Sequence, residues 1–132
     1  MAAEEKTGVL DILLGAQTPD MRKTLPEKQV EVPRLSEAAG RPVVFTLRAL
    51  TYDQVRKIQD KPWDERALYG VLYGCADPNW KDGRMLDPGK GIATPLDAIK
   101  SRLMSGEIDE LYTEVQKLSG YLRKTLRTVK NA

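Results

Sequence analysis

The most varied chemistry in this chain is gathered between Ala76 and Ala93, in ADPNWKDGRMLDPGKGIA. Carboxylates, cations, glycines and an indole alternate there, and their spacing can be set against three kinds of site. A calcium loop needs oxygen ligands at alternating positions, glycine at the sixth and glutamate at the twelfth. Counted from Asp77, those two places hold Asp82 and Pro88, so the pattern fails. A phosphate loop needs four residues between its glycines, followed by lysine and then serine or threonine. Gly83 and Gly89 enclose five residues, and Lys90 is followed by Gly91, so this pattern fails too. Trp80 beside Lys81 and Arg84 has the ingredients of a stacking platform for nucleic acid. One aromatic with two cations is also what a loop fastened by its tryptophan contains, and that reading is preferred.

Outside this loop the chemistry thins further. The 132 residues contain no histidine, which excludes Ser-His-Asp and Cys-His arrangements and every histidine-bearing metal site. Cys75 is the single cysteine, so neither an intrachain disulfide nor a cysteine-only zinc site can form. It reads as a small buried hydrophobe in a reducing compartment rather than as a nucleophile. No paired carboxylates or lysine stand at a recognisable catalytic spacing. The expectation is therefore no catalytic residue, no cofactor, no metal ligand and no enzymatic activity. A net charge of +2, with 41% hydrophobic and 30% charged residues, describes a soluble globular chain rather than one built wholesale for nucleic acid. Val9 to Leu14 is apolar but short, and Asp11 interrupts it, so it reads as neither signal peptide nor membrane span.

The elements that must carry these residues are punctuated clearly. Gln29 to Val32 and Arg41 to Leu47 alternate polar with apolar residues and are rich in β-branched side chains, which predicts two strands with Val43, Phe45 and Leu47 on one face. An antiparallel pair alone is marginal in water, so helices must cover one face. Thr51 with Gln54 has the form of a capping box, opening a helix that ends at Lys61-Pro62. Asp64 is read as the cap of a second helix bearing Leu68, Val71, Leu72 and Cys75, and Gly70 and Gly74 on it point either to a close helix contact or to a locally weak helix. Thr94, Pro95 and Asp97 together satisfy the free N–H groups and positive dipole of a helix start. Leu96, Ile99 and Leu103 form that helix's inner face, and Ser105-Gly106 breaks it near Met104. Glu107 then opens the longest helix, with Ile108, Leu111, Tyr112, Val115, Leu118, Leu122, Leu126 and Val129 at steps mostly of three and four. Its start is acidic and its end basic, the polarity a helix dipole favours. The predicted fold is α+β: a mainly helical single domain with a small antiparallel strand pair in the N-terminal third.

The order of these words resembles a known family. TPLDAI, LMSGEIDELYTEV and KLSGY are similar to the C-terminal half of the XkdN-like phage tail assembly chaperones. RPVVFTLRALTYDQVRKI resembles that family's strand followed by a helix, and ADPNWKDGRML its linker. The resemblance spans residues 28–121 and divides the chain into a partly flexible N-terminal arm (1–27), a chaperone-like domain (28–121) and a basic C-terminal tail (122–132) that continues the last helix. It implies a non-enzymatic protein of phage or prophage that binds the tape-measure protein and tail tube subunits in the host cytoplasm and is absent from the mature particle. Self-association is a further expectation, and no membrane is involved.

Both ends of the chain leave two readings open. VLDILL, residues 9–14, either docks on a neighbouring chain or forms a terminal arm packed on its own core or partly disordered. In the tail, Arg123, Lys124, Arg127 and Lys130 occur without an acid. They either complete the helix dipole in solvent or flank an apolar stripe, Leu122, Leu126 and Val129, that docks on a partner helix. On the docking reading Leu122, Arg123, Leu126, Arg127 and Val129 form the partner-binding set. The runner-up function, a small nucleic-acid-associated regulator, rests on this basic tail alone.

Overall fold

The structure, a computed structural model, describes residues 8–129, so Lys130 of the expected basic set and the first seven residues of the arm lie outside it. In chain order the elements are α1 (Val9–Leu14), β1 (Glu27–Glu31), α2 (Pro33–Ala39), β2 (Val44–Arg48), α3 (Tyr52–Gln59), α4 (Arg66–Gly74), β3 (Cys75–Asp77), α5 (Pro95–Arg102) and α6 (Ser105–Leu118). The architecture is α+β, as the sequence predicts. The sheet, however, has three antiparallel strands in the order β1-β2-β3 rather than two. β3 is only three residues long and follows α4 directly, with Cys75 opposite Leu47 and Asp77 opposite Thr46 across an irregular register. Three residues are too few to show a period of two, so nothing in the pattern announces it.

The pair β1–β2 is in the register Lys28 to Leu47 and Val30 to Phe45. Phe45 and Leu47 point into the core, with Val43 half-buried on the same face. Between the two strands the chain forms α2. Pro33 occupies its first turn, and Gly40, in the left-handed region at φ 72°, closes it. Both are ordinary start and stop signals.

Helices cover the inner face of the sheet. Leu47, Ile58, Val71, Ile99 and Val115 are fully buried and come from β2, α3, α4, α5 and α6, so the core joins every major element. The helix contact is closest between α4 and α6, where Gly70 and Gly74 lie flush against Tyr112 and Val115. A methyl added at Gly74 would stand 2.6 Å from a Val115 methyl, which is why these positions lack a side chain. The close-contact reading of the two glycines thus holds. α4 starts differently from expectation: Asp64 lies in a single 3-10 turn, Trp63–Glu65, and no side chain caps either that turn or α4.

The capping box at Thr51 is formed as read, and Thr94, read as an N-cap, makes a box of the same kind with Asp97. Thr51 Oγ1 accepts from Gln54 N–H at 3.1 Å while Gln54 Oε1 accepts from Thr51 N–H at 3.0 Å. Thr94 Oγ1 accepts from Asp97 N–H at 3.2 Å, and the Asp97 carboxylate accepts from the N–H groups of Thr94 and Ala93; the Thr94 hydroxyl first, and these N–H groups after it, hold its carboxyl below the usual carboxylate range. α5 ends at Arg102, and α6 begins at Ser105 instead of after Gly106.

One expectation fails at the C-terminus. α6 stops at Leu118 and does not continue into the tail. Gly120 adopts φ 95°; its N–H bonds to Lys117 O at 3.1 Å, and Tyr121 N–H bonds to Gln116 O at 2.9 Å. These two bonds with a left-handed glycine make a Schellman stop, which satisfies the last carbonyls and turns the chain away. Ser119 secures the stop, since its hydroxyl donates to Val115 O at 2.7 Å and accepts from Leu50 N–H at 2.8 Å.

Candidate functional site: a carboxylate-rimmed groove and two exposed arms

The richest surface of the fold lies where α6 passes β1 and the start of α2. A groove of about 400 Å³ runs there, floored by Val30, Val32 and Leu111 and rimmed by Glu31, Glu110 and two further glutamates. It is tied at each end by an ion pair. At one end Arg34 grips Glu107 with three bonds of 2.8 to 3.2 Å, and its Nη2 also donates to Arg102 O at 2.8 Å. Glu107 Oε1 additionally accepts from Met104 N–H at 2.8 Å, so one carboxylate caps α6 and holds α2 to it. The Arg34 guanidinium and that N–H together keep the Glu107 carboxyl below its usual 4.5. At the other end Lys28 pairs with Glu114, whose carboxyl is lowered likewise, and Lys117 lies 3.5 Å from the same side chain. Glu107 and Glu114 are seven residues apart, about 10 Å along a helix. Between them Glu110 and Glu31 have no ion-pair partner among the described residues.

β1 is also an edge strand. Val32 N–H bonds to Val43 O and Ala49 N–H to Pro26 O, so the even-numbered residues face β2 and the backbone of Glu27, Gln29 and Glu31 faces outward. An edge of this kind is guarded by its charged side chains.

The sequence-derived partner residues stand elsewhere. Leu122, Arg123, Leu126, Arg127 and Val129 are all exposed and lie on no helix, so the structure does not gather them into a stripe. Arg123 alone is tied back, its Nε donating to Lys117 O at 2.6 Å. At the other end of the chain α1 does form, with Gly8 N–H bonded to Asp11, but none of its residues is buried. Val9, Leu10, Ile12, Leu13 and Leu14 are 54% to 76% exposed, so the reading in which this arm packs on its own core does not hold. Trp63, 81% exposed on the turn before α4, is an apolar surface residue that no local pattern in the sequence marks.

The loop from Ala76 to Ala93 carries no comparable site. Trp80 is buried and meets Phe45 edge-on at 6.1 Å, so it fastens the loop to the sheet instead of offering a stacking face. Burial pushes the Cys75 thiol up to about 11, opposed in part by the Trp80 indole beside it. A thiol that stays protonated at neutral pH behaves as the apolar filler expected of it. Among the described residues no three His, Cys, Asp or Glu side chains are grouped as metal ligands, and no helix is long and apolar enough to cross a membrane.

The sequence from residue 10 to residue 132 matches the model of the phage XkdN-like tail assembly chaperone proteins. The chain belongs to that family. The match takes in both the α1 arm and the C-terminal tail, so the family extends beyond the 28–121 span the quoted words suggest. Among solved structures, the crystal structure of the protein YqbN has a TM-score of 0.58 and 17% identity, with 83% of this chain and 94% of that chain covered. That likeness is one of fold. No curated protein sequence matches this chain. As a member of this family the chain is a tail assembly chaperone.

Proposed function

We propose that the chain binds the tape-measure protein, and with it tail tube subunits, during tail morphogenesis in the cytoplasm of the bacterial host, without catalysis and without entering the mature particle. Family membership supports the role. The observation that carries the binding mode is the set of exposed apolar side chains on the two arms, Val9 to Leu14 and Leu122 to Val129. Large apolar residues left in water at both ends of a well-packed domain suit a protein that covers another protein's apolar surface. A long helical client presents such surface until the tube polymerises around it. The docking segment of the tail lies on no helix before binding and orders on the client.

Co-expression with the tape-measure protein of the same phage tests this reading. Replacing Leu122, Leu126 and Val129 by serine should lower the amount of client co-purified well below that obtained by changing Arg123 and Arg127 to glutamine, because exposed charges contribute little individually. Unchanged capture by the serine variant removes the tail from the binding surface. A complex that dissolves steeply with added salt points instead to phosphate-driven nucleic-acid binding.

A further inference from the structure

We propose that the groove between β1 and α6 receives the C-terminal tail of a second copy of this chain, so that two copies exchange tails reciprocally. The two surfaces are complementary in charge and in apolar content. The groove offers the apolar floor of Val30, Val32 and Leu111 beneath Glu31 and Glu110, the two carboxylates without an ion-pair partner among the described residues. The tail offers Leu122, Leu126 and Val129 interleaved with Arg123, Lys124 and Arg127, with no acid among residues 122–129. All of these tail residues are exposed, and none of them lines the groove of its own chain. The tail is also rooted beside the right place. Arg123 borders a hollow shared with Lys28 and Glu114, the ion pair that closes one end of the groove. The Gly120 stop then directs the chain away from α6. Groove and tail root therefore lie next to each other on one face, and a two-fold axis through that face lets each tail cross into the other copy's groove. This is the self-complementary arrangement an isologous dimer requires. The proposal concerns the purified chain alone, so it stands or falls separately from client binding.

Sedimentation velocity on the purified full chain at low ionic strength tests it. The expected result is a mass that rises with concentration to about twice that of the monomer and falls back at about 1 M salt, where the screening length is only about 3 Å. The double variant Glu31→Lys, Glu110→Lys should be monomeric. So should Lys124→Glu, Arg127→Glu, which leaves the Arg123 bond to Lys117 intact. All four positions are exposed, so circular dichroism should show both variants folded. Mixed in equal amounts, the two should re-form a dimer, since each groove then meets a tail of opposite charge. Three outcomes overturn the proposal: a wild-type chain that stays monomeric at every concentration, variants that dimerise as the wild type does, or a mixture that remains monomeric. A monomer whose Val129 methyl signals shift on Glu110→Lys places the tail in its own groove and likewise overturns it.

Discussion

At the scale of single residues, the contact of α4 with α6 is decided by two side chains that are absent. A methyl added at Gly70 would stand 2.1 Å from the ring of the half-buried Tyr112, and one at Gly74 2.6 Å from the fully buried Val115. Alanine is intrinsically the better helix former, by about 1 kcal/mol. Against that, forced overpacking costs about 1–3 kcal/mol. Gly70→Ala and Gly74→Ala should therefore each lower the urea midpoint; a neutral or stabilising effect at either would show that the helices separate easily. Leu111 is 6% exposed, so Leu111→Ala should cost about 2–5 kcal/mol, the range for an emptied core site, against about 1 kcal/mol for loss of the Thr94 cap. Leu118, expected alongside Leu111 in the core, is only half-buried, and its truncation should cost less than that of Leu111. These residues were legible because each belongs to a local rule: a cap with its partner three residues on, or an apolar position on a periodic face. Trp63 and the groove glutamates obey no such rule. Their meaning depends on what the fold puts beside them, as with Arg34 and Glu107, which are 73 residues apart in the chain.

Elements were readable wherever they were long enough to carry a period and their ends were marked. α3, α5 and α6 satisfy both conditions. α2 has its markers, Pro33 and Gly40, but its apolar face amounts to Leu35 on a seven-residue helix, and β3 is shorter still. At the end of α6 two signals conflicted. The apolar spacing runs through Gly120 to Val129, yet the glycine ends the helix, because a left-handed residue with two backbone bonds secures the terminus while the residues beyond it have no core to face. The junction of α5, α6 and α2 gives an element-scale prediction. Arg34 and the Met104 N–H hold the folded Glu107 carboxyl below its usual 4.5. A depressed folded value means the contribution is complete above about pH 4.5 and is lost as pH falls through the lower, folded value. Glu107→Gln should therefore be less stable than the wild type near neutrality, and the difference should shrink on acidification toward about pH 3. Urea titrations at the two pH values decide the point, and a gap that widens in acid would contradict the assignment. The surface exposure of the pair keeps the effect modest.

At the scale of the whole molecule the structure sets a packed body apart from its two ends. The body has one core shared by the sheet and by α3 to α6. The ends retain apolar residues that the core does not use. This distinction makes a test possible. If the described part of the tail served the fold, its removal would uncover apolar area. Yet Leu122, Leu126 and Val129 are 63%, 81% and 71% exposed already, and the tail's hydrogen bond to the body is that of Arg123 to Lys117 O, at a helix end the Gly120 stop already satisfies. A chain ending after Tyr121 keeps Ser119, Gly120 and Tyr121, and so keeps the whole stop. It should unfold in a single cooperative transition, with a midpoint within a few degrees of the full chain, since surface changes of this kind are usually within about 0.5 kcal/mol. The same shortened chain should capture less tape-measure protein than the full chain. Thermal unfolding and co-purification must be read together: a shortened chain that fails to fold makes the tail part of the domain, and one that folds and retains full capture leaves the α1 arm, Val9 to Leu14, as the surface that meets the client.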